Sequence, residues 1–175
     1  MKYAGIINND VVNGKDVCVS YWCQGCRFRC PGCHNPQTWD FDGGMEEDED
    51  VLIKKVITAI SMNGIQRNLS ILGGEPLCHE NSGFTARLIE KVKEKYQTIK
   101  VFLWTGFSWE DLLRYGEKQQ DILYILKNSD LLVDGKFDIA NRDITLPFRG
   151  SKNQRVICSK ESIAAGELKQ YQFND

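Results

Sequence analysis

Apolar residues along the chain switch between two periods, and the switching predicts alternating strands and helices. Residues 16–22 (DVCVSYW) alternate enough, with β-branched and aromatic side chains, to predict a strand. The stretch 23–44 contains Gly25, Pro31, Gly32, Pro36, Gly43 and Gly44 and is too broken for a regular element. Over 48–62, Leu52, Ile53, Val56, Ile57 and Ile60 recur at helical spacing and form one apolar face. The acidic run 46–50 falls at the first turn of that helix, where negative charge suits the dipole. That reading is preferred to an acidic docking patch. Residues 68–72 predict a short strand leading into Gly73-Gly74. Phe84, Leu88, Val92 and Tyr96 mark a second helix, and 99–104 (IKVFLW) is an apolar strand ending at Thr105-Gly106. Residues 109–115 and 121–126 read as helices, and 131–133 as a buried strand. Such alternation means βαβ units and a mostly parallel sheet.

The chemically suggestive positions all follow predicted strands: the cysteine loop, 73–76, Thr105-Gly106 and 134–136. In parallel α/β folds, sites gather at the carboxyl ends of strands because the loops there converge. The chain has 175 residues. A closed eight-stranded barrel takes roughly 200 to 250. An α/β fold built as an open, partial (β/α) barrel is therefore expected. No repeat, low-complexity tract or linker divides the chain, so one domain over 1–175 is expected.

Composition narrows the partners. Hydrophobic residues make up 42% and charged residues 26%, which excludes wholesale disorder. With 22 Lys+Arg against 24 Asp+Glu the net charge is -2, so nucleic acid is not an expected partner. No apolar run approaches the roughly 18 to 20 residues that span a bilayer. Residues 1–10 lack the basic stretch and apolar run of a signal peptide. A cytoplasmic chain with no membrane partner is expected. The abnormal figure is cysteine: seven in all, at 18, 23, 26, 30, 33, 78 and 158, four of them between 23 and 33. An odd count without a secretory signal does not read as a disulfide framework. Clustering that dense reads as metal or redox chemistry.

Cys26, Cys30 and Cys33 stand at spacing C-x3-C-x2-C. Thiolates are soft ligands that suit iron–sulfur clusters or zinc. A 4Fe-4S cube takes four cysteines, one per iron, so three would leave one iron open, the mark of a catalytic site. Cys23 extends the spacing to C-x2-C-x3-C-x2-C and could close the site. A four-cysteine zinc knot or closed electron-transfer cluster is then the alternative. The gap of three between the pairs is short for zinc, which usually separates them by about a dozen residues or more. Spacing leaves both readings open.

At this point the chain resembles the radical S-adenosylmethionine superfamily, through C-x3-C-x2-C in a glycine-rich loop and Gly73-Gly74-Glu75-Pro76 after the next strand. Cys30-Pro31-Gly32-Cys33-His34-Asn35 with Thr38-Trp39 narrows the match. So do Val133-Asp134-Gly135-Lys136-Phe137 and the run 149–155 (RGSKNQR). Together these resemble the activating proteins of anaerobic ribonucleoside-triphosphate reductase, from about residue 3 to 158.

The resemblance implies one 4Fe-4S cluster on Cys26, Cys30 and Cys33, with Cys23 not a ligand. It implies that S-adenosylmethionine binds the open iron and is cleaved reductively to a 5′-deoxyadenosyl radical. That radical takes hydrogen from a C-terminal glycine of the reductase large subunit. It also implies reduced flavodoxin or a similar electron donor. Gly32, Cys33 and His34 would lie against the adenosyl part. Gly73, Gly74 and Glu75 would meet the methionine ammonium, and Asp134 and Lys136 the cofactor's polar groups, Lys136 pairing the carboxylate. Gly32 stands where an aromatic residue is frequent in the superfamily.

Each motif has a plainer reading. Gly-Gly-Glu-Pro alone is a turn whose backbone can approach a neighbour closely, and Asp134 to Lys136 a turn centred on Gly135. The run 149–155 reads as a polar surface loop. Arg27 and Arg29 would steer an acidic donor or simply be solvated. His34 would pack against cluster or cofactor. Cys78 and His79 read as helix-start residues, and Cys18 and Cys158 as small hydrophobes. Three other functions compete with the activase: activation of another glycyl-radical enzyme such as pyruvate formate-lyase, a small-molecule radical enzyme such as a deazapurine-forming carboxylate synthase, and a zinc-stabilised binding module. The zinc module needs Cys23 as much as Cys33.

Overall fold

The computed structural model describes residues 1–173, so the expected domain limit at 175 lies outside the described residues. The chain runs β1 (Lys2–Asp10), β2 (Cys18–Cys23), β3 (Met45–Glu46), α1 (Glu49–Ile60), β4 (Asn68–Gly73) and α2 (His79–Lys95). It continues β5 (Val101–Trp104), α3 (Trp109–Gly116), α4 (Gln120–Asn128), β6 (Leu131–Asp134), β7 (Arg155–Cys158) and α5 (Ser159–Ala165). One seven-stranded sheet has the order β3-β1-β2-β4-β5-β6-β7. Strands β2, β4, β5 and β6 are parallel neighbours, while β1, β3 and β7 join antiparallel. The sheet is thus mixed, with its parallel run in the centre. It is open, ending at β3 on one side and β7 on the other.

Alternation in the central strands sorts their side chains between two apolar layers. Val19, Tyr21 and Cys23 of β2, with Leu69 and Ile71 of β4, join the core that α1 and α2 cover through Leu52, Val56, Phe84 and Leu88. Cys18, Phe102, Leu131 and Val133 point to the opposite face and form a smaller cluster with Val156. Burial on both faces explains why these strands are almost continuously apolar.

The helices begin where side chains can cap them. Asp48 accepts from the backbone N–H groups of Asp50 and Val51 and starts α1, and Ser108 accepts from Asp111 N–H and starts α3. Glu49 and Asp50 occupy the first turn of α1, whereas Glu46 belongs to β3. Cys78 and His79 stand at the start of α2. Beyond β7 the chain turns back along that strand: Lys169 O accepts from Cys158 N at 2.8 Å and Val156 O from Tyr171 N at 2.8 Å. This covering blunts an edge that would otherwise offer unpaired backbone groups. Among the described residues no helix is long and apolar enough to cross a membrane.

Candidate functional site

Because β2, β4, β5 and β6 run in one direction, the loops after Cys23, Gly73, Trp104 and Asp134 emerge together at one edge of the sheet. Cys23 and Gly73 are register partners, so the cysteine loop and the Gly73-Gly74-Glu75 turn leave the sheet side by side. They are in backbone contact. Gly74 N donates to Cys23 O at 2.9 Å and Glu75 N to Gly25 O at 2.8 Å. Gly73 has φ +103°, and a Cβ there would lie 2.8 Å from Cys23 O. A Cβ on Gly74 would collide with the Gly25 carbonyl.

The cysteine loop is held at its root. Gly25 N donates to Thr38 O at 2.8 Å and Cys26 N to Trp39 O at 3.0 Å. Asn81, buried on α2, donates its amide to Gln24 O at 3.0 Å and Glu75 O at 2.9 Å, joining both loops. Sequence reasoning missed Asn81. Its signal was a polar residue on the stripe that Thr85, Leu88 and Val92 continue.

The four clustered cysteines separate into one and three. Cys23 is 0% exposed in the helix-side core, and burial holds its thiol well above the ordinary cysteine range. Cys26, Cys30 and Cys33 are partly exposed. Burial also pushes the Cys26 thiol up, opposed by backbone N–H groups of Phe28 and Arg29, and the Cys30 thiol, opposed by that of Phe137. Asn35 N donates to Cys33 Sγ at 3.4 Å. Backbone N–H groups thus lie near each of the three sulfurs. Among the described residues no three His, Cys, Asp or Glu side chains converge where a single ion would sit. A cubane does not require that convergence, because each thiolate takes a different iron. The donor set fits such a cluster.

Gly32 and His34 are exposed on this loop. Gly32 has φ +71°, and a Cβ there would lie 2.6 Å from Ile139 Cδ1, so the loop after β6 packs directly on it. Exposed Lys136 sits with Nζ 4.7 Å from the centre of the Phe28 ring. Both arginines are exposed, but Arg27 is engaged by Glu80 and lies over Phe41, whereas Arg29 makes no ion pair among the described residues.

Two carboxylates expected to face a ligand are directed into the protein. Glu75 is 2% exposed; Oε1 accepts from Thr105 Oγ1 at 2.7 Å and Leu77 N at 2.9 Å, and Oε2 from Gly106 N at 2.7 Å. It ties the β4 loop to the β5 loop. Asp134 is 1% exposed, pairs with Arg155 Nη2 at 2.5 Å and accepts from Trp109 N at 2.8 Å. Both side chains are satisfied from within the protein. What remains at this edge is the Gly73-Gly74 backbone, with Gly74 N and both backbone groups of Glu75 already engaged, and the exposed ammonium of Lys136.

Burial raises the Glu75 carboxyl from 4.5 to about 7 against its three donors. Between those values the folded chain keeps a proton that the unfolded chain has lost, so stability falls as pH rises from about 4.5 to about 7. Glu75→Gln, which mimics the protonated form, is expected to flatten that slope by up to about 3 kcal/mol. Urea unfolding of the cluster-free chain at pH 5 and pH 7.5 checks it; an unchanged slope would assign the pH dependence elsewhere. For Arg155→Ala, which strands the buried Asp134 charge, a stability loss of about 2–4 kcal/mol is expected. The measurement is the urea midpoint, and a loss below about 1 kcal/mol, the surface-pair value, would refute it.

A family described as 4Fe-4S single cluster domain matches residues 12–157. The anaerobic ribonucleoside-triphosphate reductase-activating protein of Haemophilus influenzae is 32% identical over 157 residues, covering 89% of this chain and 97% of that protein. Those of Vibrio cholerae (32% over 156 residues) and Enterobacteria phage T4 (32% over 163) cover 89% and 93% of this chain, and 97% of each relative. The chain belongs to this family. The family match spans β2 to β7, the part of the sheet whose carboxyl edge bears the three partly exposed thiols and Gly73-Gly74.

Proposed function

We propose that the chain is a radical S-adenosylmethionine activase of anaerobic ribonucleoside-triphosphate reductase, built as an open, partial (β/α) barrel. Cys26, Cys30 and Cys33 would hold a 4Fe-4S cluster with one iron open to the amino and carboxylate groups of S-adenosylmethionine. When bound and reduced, the cluster supplies the electron that splits the sulfonium, giving methionine and the 5′-deoxyadenosyl radical that takes hydrogen from a reductase glycine. The observation that carries the reading is the separation of the cysteines: three partly exposed beside Gly73-Gly74, the fourth sealed in the core.

The protein's part is to bind, orient and exclude. The exposed loop 32–34 offers a surface for the adenosyl group, and Gly73 and Gly74 would offer carbonyl groups to the methionine ammonium. Lys136 supplies the one positive charge set on Phe28, suited to the carboxylate. Glu75 and Asp134 position these loops. The sheet is open, as access for a polypeptide loop of the reductase large subunit would require, and exposed Arg29 suits an acidic electron donor such as reduced flavodoxin. The absence of a membrane-crossing helix among the described residues accords with a cytoplasmic site of action.

The test is anaerobic EPR of the reconstituted, dithionite-reduced protein, with and without S-adenosylmethionine, followed by addition of the reductase. Movement of the cluster g-values on adding S-adenosylmethionine, then a glycyl radical on the reductase, is the expected result. A cluster signal indifferent to S-adenosylmethionine, or stoichiometric zinc in place of iron, would overturn the proposal.

A further inference from the structure

Apart from Arg155, the run 149–155 has no role assigned in the activase reading, yet the structure packs it against the loop that follows β6. That loop, 135–138, makes one inward backbone bond, Gly135 N to Phe107 O at 2.9 Å. Three further backbone groups of the loop are met by side chains of 151–154. Gln154 Nε2 donates to Gly135 O at 2.9 Å, Asn153 Nδ2 to Lys136 O at 2.8 Å, and Asp138 N to Ser151 Oγ at 3.2 Å. The Gln154 amide can point only one way. Its oxygen accepts from Gly150 N at 2.9 Å and Ser151 N at 3.2 Å, so its nitrogen must face Gly135 O.

The braced loop touches the cysteine loop at three places. Lys136 lies over Phe28, Ile139 and Phe137 pack on Gly32, and the Phe137 backbone N–H lies near the Cys30 sulfur. Hydrogen bonds to ligand sulfurs and partners beyond the ligands tune an iron–sulfur cluster's potential.

We infer that Asn153 and Gln154 are positioning residues of the cluster site, their side-chain amides fixing the loop that holds Phe137 N–H near Cys30 and aims Lys136 at the cofactor. The inference rests on the cluster reading proposed above. Without the brace the N–H donor drifts from the sulfur, the reduced state loses stabilisation and the midpoint potential moves negative. Lys136 loses its fixed position as well, so S-adenosylmethionine binds less tightly.

The variants are Gln154→Glu and Asn153→Ala, with Lys152→Ala as the surface control. Gln154→Glu keeps the acceptor for Gly150 and Ser151 but sets a carboxylate oxygen against Gly135 O. Asn153 is exposed, so its alanine variant keeps the question answerable should Gln154→Glu fail to fold. Each reconstituted protein is assayed for iron, for midpoint potential by EPR-monitored titration, and for S-adenosylmethionine affinity from the g-value shift. Expected is full iron content with a negative potential shift. At fixed ambient potential the reduced-to-oxidised ratio should fall roughly tenfold, about 59 mV for one electron. Cofactor affinity should drop severalfold, with Lys152→Ala like wild type. Full iron content with unchanged potential and affinity in both variants would overturn the inference and leave the cluster reading intact. Wild-type protein that takes up no iron would overturn both.

Discussion

Alanine at Cys26, Cys30 or Cys33 is expected to abolish cluster retention and glycyl-radical formation, whereas alanine at Cys23 leaves both in place. The four lie within eleven residues, and spacing alone permits a closed site using all of them. The fold separates them. Cys23 ends β2 with its side chain enclosed among core residues, while the other three follow on an irregular loop with backbone N–H groups near their sulfurs. Partners beyond the ligands already cost 10–100-fold when lost, so a ligand should cost at least about a hundredfold in radical yield. Cys23→Ala removes a buried sulfur and should cost about 1–2 kcal/mol of stability, seen as a lower urea midpoint with iron content unchanged. Iron lost from Cys23→Ala but kept in Cys33→Ala would refute the assignment and favour a closed site.

Much of this arrangement was legible in the sequence because its signals are local. The face running through Leu52, Val56 and Ile60 repeats within one helix, and C-x3-C-x2-C places three candidate ligands on one loop. β1 was not legible: Gly5, Asn8 and Asn9 interrupt its alternation, and its pairing with β2 shifts register twice. β7 is four residues long and follows a polar run, so nothing nearby announces it. The carboxylates show the deeper limit. Charge at Glu75 and Asp134 is plain in the sequence, but their partners lie 30 and 21 residues further on, at Thr105 and Arg155. Only the sheet order of β4, β5, β6 and β7 brings them together, and it makes each carboxylate a tie between segments distant in sequence. Asn81 does the same work from a helix, and a single polar residue on an apolar stripe does not say what it binds.

The Gly-Gly turn invites the second large effect. Gly74→Ala is expected to leave the cluster loaded and to cut S-adenosylmethionine-dependent glycyl-radical formation about a hundredfold. At Gly74 the constraint is a neighbour, since an added Cβ collides with the Gly25 carbonyl oxygen and lies 3.0 Å from its carbon and 3.1 Å from its nitrogen. These are backbone atoms, so no rotamer change relieves them. The β4 loop and the root of the cysteine loop must part, stretching the bonds from Gly74 N to Cys23 O and from Glu75 N to Gly25 O. Overpacking of this kind costs about 1–3 kcal/mol. The catalytic cost is larger, because a shift of about 1 Å between a cofactor and the groups that orient it loses on the order of a hundredfold in rate. The three ligand thiols travel together on the cysteine loop, so cluster binding survives the displacement. Gly5→Ala is the matched control, its added Cβ meeting nothing within 4 Å. Iron content, urea midpoint and radical yield are measured on both. Wild-type radical yield in Gly74→Ala would mean that the Gly73-Gly74 backbone takes no part in holding the cofactor, and the ammonium contact would have to be sought on another loop of the same edge.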